Sequence, residues 1–411
     1  MILENRTNTF PPALLVTLLL LALPFKRLLD FDLYLIHLNI LELLALFIFL
    51  SLIWQTAQNG ILKNCIGSLG WWGIAFILFA TIFSMKNAVN QLFAVRFLLS
   101  VILLLTLLYY FVSNTKNARD LFATVSVFLI SIAVLAVFAV LESGISILSG
   151  GQFTSSAGLL DARNEMTFFI LPAYLIAFSF AASSGGSQKK YVFLSMLFLL
   201  AIVLSRGRAA TWIAIATSII AVFYFMKHRV LFAVAMIIFV VGAVLLLSLF
   251  DYFDIFHFLN DRYMSSFFNE YELNYGSLAA RQLAISGAFS MIESNPVFGV
   301  GAGNFGLVIL EHIPHLRENT INPHNTFLGL FAEIGPLGLL GFCMILVSGT
   351  LPLPKRKKQK TEVETVRDAT TIALLGLIAH MLTFDAVTSP VLWILLAINI
   401  SGTRILLRGN S

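Results

Sequence analysis

Residues 121–149 read LFATVSVFLISIAVLAVFAVLESGISILS and hold one charged residue, Glu142. The stretch exceeds the roughly 20 apolar residues that a helix needs to cross a hydrocarbon core about 30 Å thick. Its apolar residues do not alternate with polar ones, as they do in the strands of a membrane barrel. Because lipid offers no partners to backbone N–H and C=O groups, such a span must be helical. The stretch therefore predicts a transmembrane helix.

The rest of the chain has the same character. Its 411 residues are 59% hydrophobic and 11% charged, against about 45–50% and about 25% in an average soluble domain. This composition excludes a soluble globular protein and predicts an all-α polytopic membrane protein with about 12 transmembrane helices. The apolar segments lie at residues 12–25, 33–54, 66–84, 92–113, 121–149, 166–182, 190–205, 208–226, 230–250, 326–350, 369–387 and 390–407.

The positive charges indicate the orientation of these spans. Most lysines and arginines, including the basic run at 355–360, fall in connections that share one side if the first span starts in the cytoplasm. The positive-inside rule then predicts that both termini are cytoplasmic. The net charge of +5 is thereby explained by topology, and no nucleic-acid partner is expected. Two cysteines, Cys65 and Cys343, suggest neither a disulfide framework nor a thiolate metal site.

One connection is much longer than the others. Residues 251–325 hold no predicted span, and the orientation above places them on the non-cytoplasmic side of the membrane. The chain is thus divided into residues 1–250 with nine spans, the loop 251–325, and residues 326–411 with three spans. Long loops in compact proteins are usually functional.

Within this loop, residues 278–293 predict an amphipathic helix that Asn295-Pro296 ends. The residues predicted to share one face of it are Leu278, Ile285, Ala288, Phe289 and Ile292.

Three positions are candidates for chemistry. Ser205-Arg206-Gly207-Arg208 separates the seventh and eighth spans as a tight turn or a broken helix. Two guanidinium groups there suit a phosphate clamp, although arginines at a span end also simply reach toward the interface. Arg281, on the predicted loop helix, is either a second phosphate contact or a solvated charge. His324, where the loop enters the tenth span, suits a group that accepts a proton from a hydroxyl; the alternative is a structural histidine.

Two other patterns are less informative. Residues 301–306 match GxGxxG, but no strand precedes them, so a turn that allows close backbone approach is expected instead of a dinucleotide site. Glu311, His312, His315 and His324 have some metal-ligand character, but Pro314 interrupts the helix that would align them. No metal and no cofactor are predicted.

Read in order, the chain carries Ser205-Arg206-Gly207, then PVFGVG at 296–301, HNTFL at 324–328 and EIGPLG at 333–338. This set, over about residues 160–345, resembles the bacterial O-antigen ligase and polymerase superfamily. The resemblance implies a glycosyltransferase with a fold like the lipid-dependent GT-C enzymes, acting on the periplasmic face of the inner membrane. It also implies an undecaprenyl-diphosphate-linked glycan as donor, a sugar of the lipid A core as acceptor, and contact with membrane lipids.

The resemblance also implies roles for single residues. Arg206, Arg281 and His324 are the expected catalytic residues, with Arg206, Arg208 and Arg281 binding the donor diphosphate and Asn325 in support. The family pattern does not require Arg208, so which of the two neighbouring arginines faces the diphosphate is left open. Transfer is expected to invert the anomeric configuration in one displacement, without a metal.

Several functions remain open at this point. The leading one is O-antigen ligase, followed by O-antigen polymerase and protein O-oligosaccharyltransferase; the last usually carries C-terminal sequence that this chain lacks. A lipid-linked glycan transporter without chemistry is the alternative from another class. It would show paired, repeated charges within spans, a pattern that Glu42, Arg96, Glu142 and Asp385 do not form.

Overall fold

The computed structural model describes residues 12–26, 30–33, 36–59, 66–148, 158–160, 162–183, 189–205, 207–225, 277–313, 322–351 and 360–409. Over these ranges the chain is helical apart from one hairpin. The helices are α1 (Pro12–Ala22), α2 (Ile40–Asn59), α3 (Ser68–Ser84), α4 (Gln91–Asn114), α5 (Ala118–Leu148), α6 (Arg163–Ser183), α7 (Lys189–Leu204), α8 (Arg208–Phe225), α9 (Ser277–Ser294), α10 (Phe305–His312), α11 (Thr326–Thr350), α12 (Glu362–Met381) and α13 (Pro390–Gly409).

Within the described part of the chain, seven helical stretches are long and apolar enough to cross a membrane. They are Ser68–Asn87, Gln91–Asn114, Ala118–Ser146, Arg163–Ser183, Arg208–Phe225, Thr326–Thr350 and Pro390–Arg408. Two shorter apolar helices, Leu14–Phe25 and Ile40–Ile53, accompany them, and α7 and α12 are helices in the regions of the seventh and eleventh predicted segments. The ninth predicted segment, 230–250, lies outside the described residues. The chain is a multi-pass membrane protein.

The second span begins later than predicted. Strands β1 (Asp30–Leu33) and β2 (Ile36–Asn39) form an antiparallel hairpin, so helix α2 starts at Ile40 and not at residue 33. The sequence Asp-Phe-Asp-Leu alternates polar and apolar residues, as strands do. Asn39 then starts the helix, because its Oδ1 accepts hydrogen bonds from the N–H groups of Leu41 and Glu42 at 3.0 Å. The hairpin is the one departure from an all-α fold among the described residues.

The eleventh span is also displaced from its predicted position, 369–387. Helix α12 runs from Glu362 to Met381 because a capping box fixes its start: Thr361 Oγ1 accepts from Glu364 N–H, and the Glu364 carboxylate accepts from Thr361 N–H. A hydropathy window discounts such a charged first turn. Asp385 therefore lies in the connection between α12 and α13, outside the span.

Helix α6 lies at the centre of the bundle, and every residue from 166 to 182 is buried. Helices α3 and α11 meet through glycines: a Cβ on Gly73 would lie 2.6 Å from the Gly341 carbonyl oxygen, so the two backbones touch. Small residues of this kind allow close helix packing inside membranes. Apolar side chains such as Phe47 and Phe193 are mostly exposed on the outside of the bundle, as expected of a surface that faces lipid.

Helices α9 and α10 form a layer that packs against α11. The predicted helix 278–293 matches α9, but the predicted face was wrong, since Ile285 and Phe289 are exposed. Small residues allow the close approach instead: a Cβ on Gly287 would lie 3.0 Å from Ile309 Cγ1. The buried cluster of this layer contains Ala284, Ala288, Met291, Val300, Phe305, Val308, Ile309 and Ala332.

Candidate active site

A kink in α11 holds the loop in place. Gly335 has a φ of 75°, which breaks the helix, and Pro336 follows it without an N–H group. The carbonyl of Ala332, four residues before the proline, would therefore have no helical partner. The Val300 N–H takes that place and donates to it at 2.9 Å. A Cβ on Gly335 would lie 2.1 Å from the Val297 carbonyl oxygen, so only glycine fits this contact.

Glu333 completes the same junction. Its carbonyl accepts from Gly301 N–H at 3.0 Å, and its carboxylate Oε1 accepts from Phe305 N–H at 2.9 Å. A carboxylate at a helix N-terminus stabilises the unpaired N–H groups there, so Glu333 fixes the start of α10. Gly299, Gly301 and Gly303 all have positive φ. Residues 301–304 form the expected turn, closed by the Asn304 N–H, which donates to the Gly301 carbonyl at 3.2 Å, whereas residues 305 and 306 begin α10. The PVFGVG and EIGPLG motifs thus have a structural role.

The turn between α3 and α4 holds the other side of the loop. Asn90 N–H donates to Asn304 Oδ1 at 2.7 Å, and Asn87 Nδ2 donates to the Gly299 carbonyl at 2.8 Å. The loop therefore has hydrogen bonds to two separate spans. A site built on it is held rigidly over this end of the bundle, which we call the loop end.

His324 has an unusual backbone conformation. Its φ is 49°, and it is the one non-glycine residue with positive φ among the residues described. Asn325 follows and caps α11, because its Oδ1 accepts from the N–H groups of Phe327 and Leu328 at 3.0 Å. Strained residues of this kind persist where the surroundings enforce them, often at functional sites. The Asn325 cap is one such constraint.

The connection after α12 supports this position. Thr326 Oγ1 donates to the Phe384 carbonyl at 2.7 Å and accepts from Ala386 N–H at 3.0 Å. His380 stacks on Phe384 with ring centroids 5.9 Å apart. Asp385 lies in the chain between these two partners of Thr326, and burial raises its pKa to about 6. The start of α11 and the 384–386 segment thus form one hydrogen-bonded unit beside His324.

Arg281 lies within electrostatic range of this histidine and of two other arginines. Burial, then the nearby charges of Arg208 and Arg163, lower the pKa of Arg281. Burial and the charge of Arg281 in turn lower the pKa of His324. His324 is therefore neutral at pH 7. Three of the predicted site residues, Arg208, Arg281 and His324, are thus linked through Arg281, while Arg206 lies outside the described residues.

The same region collects two helix N-termini. Arg163 is the first residue of α6 and Arg208 is the first of α8. Helix N-termini carry partial positive charge and unpaired N–H groups, which makes them sites for anions. The sharp turn before α8 is confirmed: Gly207 N–H donates to Ser205 Oγ at 3.1 Å, and α7 has ended at Leu204. The dipoles of α6 and α8 and the three guanidinium groups together favour the binding of a highly charged anion.

No motif in the sequence assigns Arg163 to the site. The signal that could have identified it is its position directly before an apolar span, which it shares with Arg208. The histidines considered for a metal do not gather: His312 Nδ1 is 2.7 Å from Ser290 Oγ, and His315 lies outside the described residues. Within the ranges described, no three His, Cys, Asp or Glu side chains are placed to hold an ion.

Comparison with known proteins gives a family for this region. The family model described as O-antigen ligase matches residues 193–343, which include Arg208, Arg281, the α11 junction and His324. No curated protein matches the chain at a significant level. Members of the family are glycosyltransferase-like enzymes, either ligases or polymerases. This match over residues 193–343 supports a relationship to the O-antigen ligase and polymerase superfamily.

Proposed function

We propose that the protein is an O-antigen ligase with a GT-C-like fold. It transfers a glycan from undecaprenyl diphosphate to a sugar hydroxyl of the lipid A core on the periplasmic face of the inner membrane. The observation that carries the proposal is the grouping of Arg208 and Arg163 around Arg281, which in turn acts on a neutral His324. The positive-inside pattern supports a periplasmic position for this end of the bundle and cytoplasmic termini.

The arginines act on the leaving group. The bond between the anomeric carbon and the diphosphate oxygen breaks, and its electron pair stays on the diphosphate. Guanidinium groups carry a permanent charge and a planar set of donors that match phosphate oxygens. Held in place before the reaction, they stabilise the charge that develops. Arg206, next to Arg208 in the chain, is proposed to contribute to the same diphosphate site.

His324 acts on the acceptor. Its lowered pKa keeps the imidazole neutral at physiological pH, so that it can accept the proton of the attacking hydroxyl as the new carbon–oxygen bond forms. Attack on the face opposite the diphosphate inverts the anomeric carbon in one displacement. The fixed positive charges serve the role that a divalent ion has in other diphosphate transfers, so the proposed reaction is metal-independent. Asn325 supports the histidine by capping α11.

Complementation distinguishes a ligase from its relatives. The gene is expressed in a strain that lacks its O-antigen ligase, and lipopolysaccharide is separated by electrophoresis. Polymer-capped lipopolysaccharide supports the proposal. Unchanged rough lipopolysaccharide with accumulated lipid-linked polymer, at normal protein levels, contradicts it. Restoration of polymer length in a polymerase-deficient strain would assign the polymerase reaction instead.

Matched variants connect this outcome to the site. Arg281→Gln removes a charge from the gathered arginines, while Gln282→Ala changes the exposed neighbour on the same helix. We expect Arg281→Gln to lower the amount of polymer-capped lipopolysaccharide at least tenfold and Gln282→Ala to leave it unchanged. Equal activity of both variants would contradict the role of Arg281.

A further inference from the structure

A second site lies apart from the arginines. A cavity of about 570 Å³ is lined by α1, α2, α4 and residues around the start of α13, and we call it the α4 cavity. Its wall at the loop end is polar, with Lys26, Asn39, Glu42 and Arg96. Its deeper wall is apolar, with Leu19, Leu103, Leu104 and Leu107. Protein interiors are normally packed without voids of this size.

The polar wall offers donors and acceptors in balance. Lys26 Nζ lies 2.8 Å from Glu165 Oε1, and the Glu42 carboxylate accepts from Asn39 N–H at 3.0 Å. Arg96 faces the same space. Glu165, outside the lining, therefore balances Lys26, and Glu42 balances Arg96 in formal charge, in contrast to the arginines at the active site. Such a wall suits the hydroxyl groups of a sugar, which both donate and accept, better than an isolated anion.

The apolar wall continues down α4. Arg96 and Leu107 are eleven residues apart, which is about 16 Å along a helix. Leu103, Leu104 and Leu107 lie on one face because they are spaced by three and four residues. The side chains of Phe93 and Arg96 are exposed, so the cavity opens on the outer surface of α4. A polar head above an apolar slot, about 16 Å long together, has the two-part shape of a lipid.

The α4 cavity also adjoins the active site. Gly303 and Thr388 both line it. Gly303 lies in the turn that Glu333 fixes, and Thr388 follows Ala386, which is hydrogen-bonded to Thr326 beside His324. The cavity and the arginines are thus formed by different helices, α1, α2 and α4 against α6, α8 and α9. A transferase acting between two lipids needs two such places.

We infer that the α4 cavity holds the glycolipid acceptor, with a sugar of its head at Arg96, Glu42 and Asn39 and an acyl chain along Leu103, Leu104 and Leu107. This inference rests on the proposed function, since it assigns one of that reaction's two lipids. The donor diphosphate then binds at Arg163, Arg208 and Arg281, which do not line the cavity.

A bulky substitution tests the assignment. Ser100 lines the cavity, whereas its neighbour Leu99 is 52% exposed on the outside of the same helix. Ser100→Trp fills the slot, and Leu99→Trp is the matched control. With purified protein we expect Ser100→Trp to raise the KM for the acceptor at least tenfold and to leave the KM for the donor within twofold. The control is expected to leave both unchanged.

A binding measurement keeps the test independent of turnover. A glycolipid with a photoreactive acyl chain is expected to crosslink to the α4 peptide containing Leu103 and Leu107 in the wild type and in Leu99→Trp, and at least fivefold less in Ser100→Trp. Arg96→Gln, which leaves the slot open, is expected to weaken crosslinking as well. If an excess of plain phospholipid reduces crosslinking as effectively as an excess of glycolipid, the cavity is a general lipid site and the inference is overturned.

The two hypotheses fail differently. If the wild type crosslinks as expected but transfers no glycan, the proposed function fails and the lipid site stands. If it transfers glycan while Ser100→Trp changes neither crosslinking nor the acceptor KM, the cavity inference fails alone.

Discussion

Replacing His324 by glycine is expected to stabilise the protein relative to alanine while both substitutions abolish transfer. The φ of 49° at this residue lies in the left-handed region, which costs a residue with a Cβ roughly 1–2 kcal/mol. Glycine adopts it without that cost but has a more disordered unfolded chain, which offsets about 0.4–1 kcal/mol. The glycine variant should therefore be more stable than the alanine variant by roughly 1 kcal/mol.

Thermal unfolding in detergent, followed by intrinsic fluorescence, measures this difference. For a chain of this size, 1 kcal/mol corresponds to a shift in Tm of about 1 °C. Transfer is assayed on the same preparations. An alanine variant as stable as the glycine variant would show that His324 is not held in a strained conformation. Transfer by either variant at the wild-type rate would show that the imidazole does not act on the acceptor.

Three further predictions address the surroundings of His324. Because burial and Arg281 lower the pKa of His324, the rate of transfer should fall only below pH 6.5, as the imidazole becomes protonated. In Arg281→Gln this fall should move to higher pH. An unchanged pH–rate profile in that variant would argue against electrostatic coupling between Arg281 and His324. Asn325→Ala should cost about 1 kcal/mol of stability through the lost cap, whereas Asn325→Asp, which still caps, should melt near the wild type; equal melting of the two would refute the capping role. Gly335→Ala would place a Cβ 2.1 Å from the Val297 oxygen at a φ of 75°, and it should cost about 2 kcal/mol or more of stability and lower transfer. Gly144→Ala, where a Cβ meets nothing within 4 Å, should change neither. Similar melting of both variants would show that the kink is not tightly packed.

Hydropathy predicted the general architecture of the described helices well but not all of their ends. A span such as α5 is decided by composition, since no other structure satisfies its backbone in lipid. The ends of α2 and α12 were misplaced because they depend on local hydrogen bonds, a hairpin before Ile40 and a capping box at Thr361, which an average over 19 residues does not detect.

The site was partly predictable for a similar reason. Arg281, His324 and Arg208 stood out as charges beside apolar segments, and the structure brings them together. The gathering of Arg163 with them depends on how α6 and α9 pack, which is a tertiary feature. The face of α9 was predicted wrongly because the pattern favours large residues, whereas Ala284, Gly287 and Ala288 make the close contact.

The proposed role of the arginine and histidine cluster is tested most directly by reconstitution. Purified protein in lipid vesicles is given an undecaprenyl-diphosphate-linked glycan and a lipid A core acceptor, and the glycosylated acceptor and the released lipid diphosphate are both quantified. The wild type is expected to form them in equal amounts, Arg281→Gln to form at least tenfold less of both, and His324→Ala to form neither, while both variants melt within a few degrees of the wild type. Undiminished product from both variants, or none from the folded wild type, would contradict the account.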